Sequence, residues 1–150
     1  MAFPSSTGAG ATNLQAAWTQ AVYVAGDIKG QASAAVTAGS IAITNAVNLI
    51  VSLNNAVAPF QTLAAIPGID AYAQQQTGIP TITPSVDIPA VITAINALMT
   101  FMLANTPVEA DGWLKFAKFN IAAHGGLTYN TFPVTGQFLT LMNNLIATIN

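Results

Sequence analysis

The stretch DIPAVITAINALMTFMLA, Asp87 to Ala104, decides the fold. Ile88, Val91, Ile92, Ile95, Leu98, Met99 and Met102 recur at intervals of three and four, a spacing that gathers side chains on one face of an α-helix. Asp87 stands where an N-cap belongs and favours the positive helix end, while Pro89 falls in the first turn, where a proline removes no intrahelical bond. Phe101 and Leu103 lie on the outer side, so the helix is apolar nearly all round. It is predicted to be the central helix, buried or covered by a neighbouring subunit. Ile88 to Ala104 is 17 residues, interrupted by Pro89, Thr93, Asn96 and Thr100 and flanked by Asp87 and Glu109. A spanning helix needs about 20 apolar residues and usually basic flanks, so membrane insertion is not expected.

Toward the N-terminus, Thr77–Pro84 (TGIPTITP) reads as an extended connector, because two prolines exclude helix, and Ile69–Gln76 reads as a short segment opened by Pro67 and Gly68. A helix is predicted from about Ser40, with Ile43, Ala46, Val47, Ile50, Leu53 and Val57 on one face and Asn45, Asn48, Ser52 and Asn55 on the other. Pro59 should stop or kink it, with Phe60–Ile66 resuming. Gly39 reads as the C-cap of a preceding long helix that Thr12 caps, carrying Leu14, Trp18, Ala21, Val22, Ala25, Ile28, Ala32 and Ala35 at helical spacing. Gly26 and Gly30 lie inside it at a cost of about 1 kcal/mol each, which predicts either close packing of another helix there, the favoured reading, or a break in the helix. Residues 1–11 lack the basic and apolar regions of a signal peptide and read as a flexible arm.

Toward the C-terminus, Asn105–Gly112 is turn-rich, and WLKFAKFNI (Trp113–Ile121), Gly125-Gly126 and LTYNTF (Leu127–Phe132) together read as a β-hairpin at about 113–132. Thr135 is placed as the cap of a last helix, in which Phe138, Leu141, Met142, Leu145, Ile146 and Ile149 share a face. The expected fold is mainly α: residues 12–150 form a single domain of four or five helices with a C-terminal hairpin and a terminal helix after it.

Only eight residues are charged, Asp27, Lys29, Asp70, Asp87, Glu109, Asp111, Lys115 and Lys118, for a formal net of −2 in 150 residues. Ordinary domains carry about a quarter charged residues, and mixed surface charge helps to keep copies apart. Here polar contacts fall to 17 Thr, 12 Asn and 8 Gln, which hydrogen-bond across an interface without the desolvation cost of ions. The composition predicts self-assembly. Three scattered lysines make no basic patch, so nucleic acid is not an expected partner. With no Cys there is no disulfide framework, thiol nucleophile or thiolate ligand.

No catalytic, cofactor-binding or metal-binding residues emerge. His124 sits in a Gly-rich predicted turn without neighbouring ligands in sequence. Asp87 reads as a cap, Asp70 lies near the start of a helical segment, and Glu109 with Asp111 belongs to a loop. Gly8-Ala9-Gly10-Ala11-Thr12 precedes a helix but lacks the preceding strand and Gly-Lys-Ser/Thr ending of a phosphate loop. Lys115 and Lys118 among Trp113, Phe116 and Phe119 are too few for a nucleic-acid channel. On a strand those residues leave both faces partly apolar, and two apolar faces need two covers. Trp113, Phe116, Phe119, Tyr129 and Phe132 are therefore the expected interface residues, since aromatics provide large contact area at low entropic cost.

Four stretches in order, LAAIPGIDAYAQQQ (Leu63–Gln76), ITAINALMTFMLANTP (Ile92–Pro107), DGWLKFAKFN (Asp111–Asn120) and FPVTGQFLTLMNNLIATI (Phe132–Ile149), resemble small virion structural proteins of tailed bacteriophages. The likeness covers roughly the last ninety residues and departs in charge, the relatives carrying more of it and some arginine in the hairpin and last helix. The resemblance implies a place in the capsid, neck or tail. The resulting expectation is a non-enzymatic, multi-copy virion component, assembled in the host cytoplasm, that contacts copies of itself and other virion proteins and uses no cofactor or small-molecule substrate. The alternative is a soluble helical protein that binds a small apolar ligand between Ala-lined helices.

Overall fold

The computed structural model describes residues 9–72, 84–105 and 131–149. Its long elements are α1 (Ala9–Ala38), β1 (Ser40–Ala42), α2 (Ile43–Ala65), α3 (Pro84–Asn105), β2 (Thr131–Pro133) and α4 (Gly136–Ile149), and helical backbone also runs over 69–72. The protein is mainly helical, with one antiparallel strand pair followed by a terminal helix.

The buried positions explain why the helices assemble as they do. On α1 they are Leu14, Ala21, Ile28 and Ala35, seven apart, with Ala32 between; on α2 they include Ala46, Leu49, Leu53, Ala56, Phe60 and Leu63. On α3 they are Val91, Ile95, Leu98 and Met102, and on α4 Phe138, Met142 and Leu145. Alternating steps of three and four make a narrow seam, which suits helices packed at a shallow angle in a bundle. The packing closes a ring in which α1 meets α2, α2 meets α3, α3 meets α4, and α4 meets α1.

Neighbours run antiparallel. Gln31 near the end of α1 bonds Ser52 in the middle of α2 across their short connection. Phe101 near the end of α3 packs on Phe138 near the start of α4, with centroids 5.4 Å apart and planes tilted by 34°. The last turns of α2 and the first of α3 line one cleft together with the early part of α1 and the end of α4. The result is an up-down-up-down four-helix bundle with two distinct ends.

One end is closed by the strands. β1 pairs with β2 in the register Ser40↔Pro133, Ile41↔Phe132, Ala42↔Thr131, and the Val134 N–H extends the ladder to the Gly39 carbonyl at 3.0 Å. Gly39 ends α1 with φ +71°, a left-handed conformation that glycine adopts without strain, and its N–H bonds the Val36 carbonyl. At the other end Trp18 meets Tyr72 edge-on, with centroids 6.4 Å apart.

Several sequence expectations are refined. The second helix starts at Ile43 rather than Ser40, because Ser40–Ala42 is taken into the ladder. The C-terminal strand exists at Thr131–Pro133, but its described partner is β1, far away in sequence; residues 113–130 of the expected hairpin lie outside the described residues. Pro59 does not end α2, which continues to Ala65 and buries Phe60 and Leu63. Gly26 and Gly30 are exposed, and a Cβ added at either meets nothing within 4 Å, so none of the described helices packs closely there. The expected arm (1–11) falls mostly outside the description, and α1 already runs from Ala9. Asp87 is in the first turn of α3 rather than before it, since the helix begins at Pro84. Thr135 stands immediately before α4, and its carbonyl accepts from the Leu139 N–H at 3.3 Å.

Candidate functional site

Chemistry of charge is sparse on this bundle. Among the described residues the charged side chains are Asp27, Lys29, Asp70 and Asp87, and α2, α4 and both strands carry none. No group of three His, Cys, Asp or Glu side chains lies close enough to hold a metal ion among the described residues. Asp70 is structural: its carboxylate accepts from the Ser85 N–H at 2.8 Å and from the Ser85 hydroxyl at 2.5 Å. The acid near residue 69 thus satisfies the start of α3, a helix it does not belong to.

Four polar side chains are turned back on their own helices. Thr93 donates to the Pro89 carbonyl (3.0 Å), Thr140 to Gly136 (3.2 Å), Thr148 to Asn144 (2.6 Å), and the Asn105 amide to Phe101 (2.9 Å). A threonine bonded to the carbonyl four residues earlier has spent its donor, which makes its face less polar than its composition suggests. α3 carries this furthest. Ser85–Asn105 spans 21 residues and its most apolar 18-residue window has a mean hydropathy of 1.8, long and apolar enough to cross a membrane, yet only 22% of that window is buried within the bundle. Ala90, Ala97, Thr100 and Ala104 face outward, and the first two border a shallow hollow of about 440 Å³ against Leu141, Asn144 and Ala147 of α4.

Two further concavities remain. A groove of about 920 Å³ separates α1 from α2, with Gly26, Gly30, Ala34 and Ala38 on one wall and Asn45 and Asn48 on the other. Gln31 crosses its floor, donating to Ser52 (2.9 Å) and to Asp27 (3.2 Å). The second is a cleft of about 420 Å³ at the open end of the bundle, where Trp18, Val22, Phe60, Ile88, Val91 and Ile149 bring together all four helices. Asp87 and Thr148 supply its polar side chains. The described large apolar residues that are more than half exposed are Val22 (53%), which lines this cleft, and Tyr23 (74%) and Val86 (67%), which do not.

Of the residues expected at an interface, Trp113, Phe116, Phe119 and Tyr129 lie outside the described residues. Phe132 is half-buried opposite Ile41 on β2 and packs against the core of its own chain. Sequence reasoning did not find the cleft, because its walls come from positions between 18 and 149 that share no local pattern. Comparison with protein-family models, curated proteins and solved structures finds no match to this chain.

Proposed function

We propose that the chain is a non-enzymatic virion structural protein of a tailed bacteriophage, present in many copies in or on the head-tail or tail assembly. The observation that carries the reading is the surface: the outward faces of α2, α3 and α4 are mostly Ala, Thr and Asn, with Asp87 as their charge, and three of the threonine hydroxyls are bonded to their own helix. Such faces meet copies of themselves without ion desolvation and with little mutual repulsion. The ordered likeness of its segments to phage structural proteins supplies the setting. The partners are copies of the chain and other virion proteins, with no cofactor, nucleic acid or membrane insertion in its role. Mass spectrometry of purified particles tests this, with recovery in fixed, multi-copy stoichiometry as the expected result. Absence from washed particles of a phage that expresses it would sink the reading.

The cleft favours a second reading, a soluble helical protein that holds a small apolar ligand, since its size and mainly apolar walls lie in the range of ligand sites. A monomer that co-purifies with such a molecule would select it.

A further inference from the structure

Residues 131–149, which make β2 and α4, join the bundle across a connection of 25 residues (131 − 106), where neighbouring helices of a bundle are usually linked by about 2–8. The seat they fill is built from α1, α3 and the edge of β1, and it buries Val134, Phe138, Met142 and Leu145. We propose that this seat also accepts residues 131–149 of a second copy, so that neighbouring chains exchange β2 and α4 and are joined through the strand ladder. The inference rests on the multi-copy reading above and names the joint between copies.

The occupant of the seat is the first support. The register Ser40↔Pro133, Ile41↔Phe132, Ala42↔Thr131 and the bond from the Val134 N–H to the Gly39 carbonyl specify which segment fits, and every copy carries an identical one. Reach is the second. Phe101, one turn before the end of α3, packs on Phe138, so the connection leaves and returns at one end of the bundle. Counting one helical turn after Phe101 and seven extended residues before Phe138, a chain closing on itself bridges no more than about 45 Å, whereas 25 residues extend to roughly 80–90 Å. An adjoining bundle is two helix diameters wide, roughly 20–25 Å, which the remaining length covers. Charge is the third. Residues 131–149 contain no ionisable side chain, so the segment is held by apolar burial and the ladder, and no like charge turns away a neighbour's copy of it. A tethered segment meets its own seat at an effective concentration on the order of 1 mM. Exchange therefore belongs to copies crowded to that density, as they are when held side by side in an assembly.

Cysteine reports the exchange, since the chain has none of its own. Ala42 and Thr131 face each other in the same register as the Val134–Gly39 bond but in a non-hydrogen-bonded pair, the type whose side chains lie closest. Full-length Ala42→Cys and Thr131→Cys chains are mixed in equal amounts at about 10 µM to 1 mM, a range that ends at the effective concentration of the tether, held just below their melting transition and then oxidised. Each variant treated alone gives the background. A disulfide between position 42 of one chain and 131 of another, mapped by mass spectrometry, should rise above both backgrounds as concentration increases. The double variant oxidised within single chains at low concentration has its ladder locked. By sedimentation it should stay monomeric at concentrations where wild type and the reduced double variant associate, and reduction should restore association. If a variant melts well below wild type, Ser40→Cys with Pro133→Cys, a pair of the same type, takes its place. No 42–131 link above background at the highest concentration overturns the inference, as does wild type that stays monomeric there or a locked chain that associates as wild type does. Recovery of the chain in particles in any of these cases leaves the virion reading intact, whereas absence from particles removes that reading whatever the ladder does.

Discussion

At Asp70 a single carboxylate joins two segments fifteen positions apart in sequence, by accepting both the N–H and the hydroxyl of Ser85 at the start of α3. The first N–H groups of a helix have no partner inside it, and an acid there also complements the helix dipole. Asp70→Ala should destabilise the chain by about 1 kcal/mol, the usual worth of a cap, and lower the melting temperature by roughly 2–4 °C for a chain of this size. Ser85→Ala should cost less by itself and add little to Asp70→Ala, because both changes remove the same contact. Additive losses in thermal melts would show that the pair is not a unit. In the sequence Asp70 reads only as an acid near a short helical segment. Its recipient lies beyond a Pro-containing connector, and no local pattern links a cap to a helix that distant.

Glycine has opposite meanings in α1 and just after it. Gly26 and Gly30 are exposed in the helix, with open space where a Cβ would project. Alanine there removes backbone freedom from the unfolded chain without a clash, so each substitution should stabilise by about 0.5–1 kcal/mol. Gly39→Ala should destabilise by about 1 kcal/mol or more, since φ is +71° and the residue holds the turn into β1. Urea unfolding of the three variants checks both signs, and a loss of stability in the first two would mean that the groove wall is filled in the folded protein. The periodicities of α2, α3 and α4 made these helices legible, because a seam repeating every three and four residues has no good alternative to helix. Gly39 was legible for a similar reason, as a glycine at the end of such a repeat. β1 was not. Ser-Ile-Ala is too short to show alternation, and nothing local to it points to a partner as distant as Thr131–Pro133. Gly26 and Gly30 were misread because sequence gives the cost of a glycine but not the side of the helix on which it falls.

Across the described residues, α2 and α4 carry no charge and α3 carries only Asp87. Association that depends on apolar burial and neutral hydrogen bonds differs from salt bridging in its response to ions, because screening acts on charges alone. The self-association constant measured between about 50 mM and 500 mM NaCl should therefore shift by less than roughly threefold, where a contact built on exposed ion pairs weakens steadily. A steep fall with salt would locate the contact at the few charged positions instead. The four-helix architecture itself was within reach of the sequence, whereas the two unlike ends of the bundle depend on tertiary pairing and on the way four helix termini meet.

The ladder that closes one of those ends also sets an order in time. Ser40 pairs with Pro133, 93 positions later by subtraction (133 − 40). At a synthesis rate of about 5–20 residues per second, a growing chain carries β1 for roughly 5–20 s before its partner strand has even been made. During that interval the α1–α2 pair can already zip from its short turn, but an open strand edge is a template for whichever matching segment arrives first. On a polysome translating many copies side by side, the C-terminal strand and helix of one chain compete with those of its neighbour for the same three-residue edge. The clasp is thus the point at which this bundle is most open to exchanging its last helix between chains.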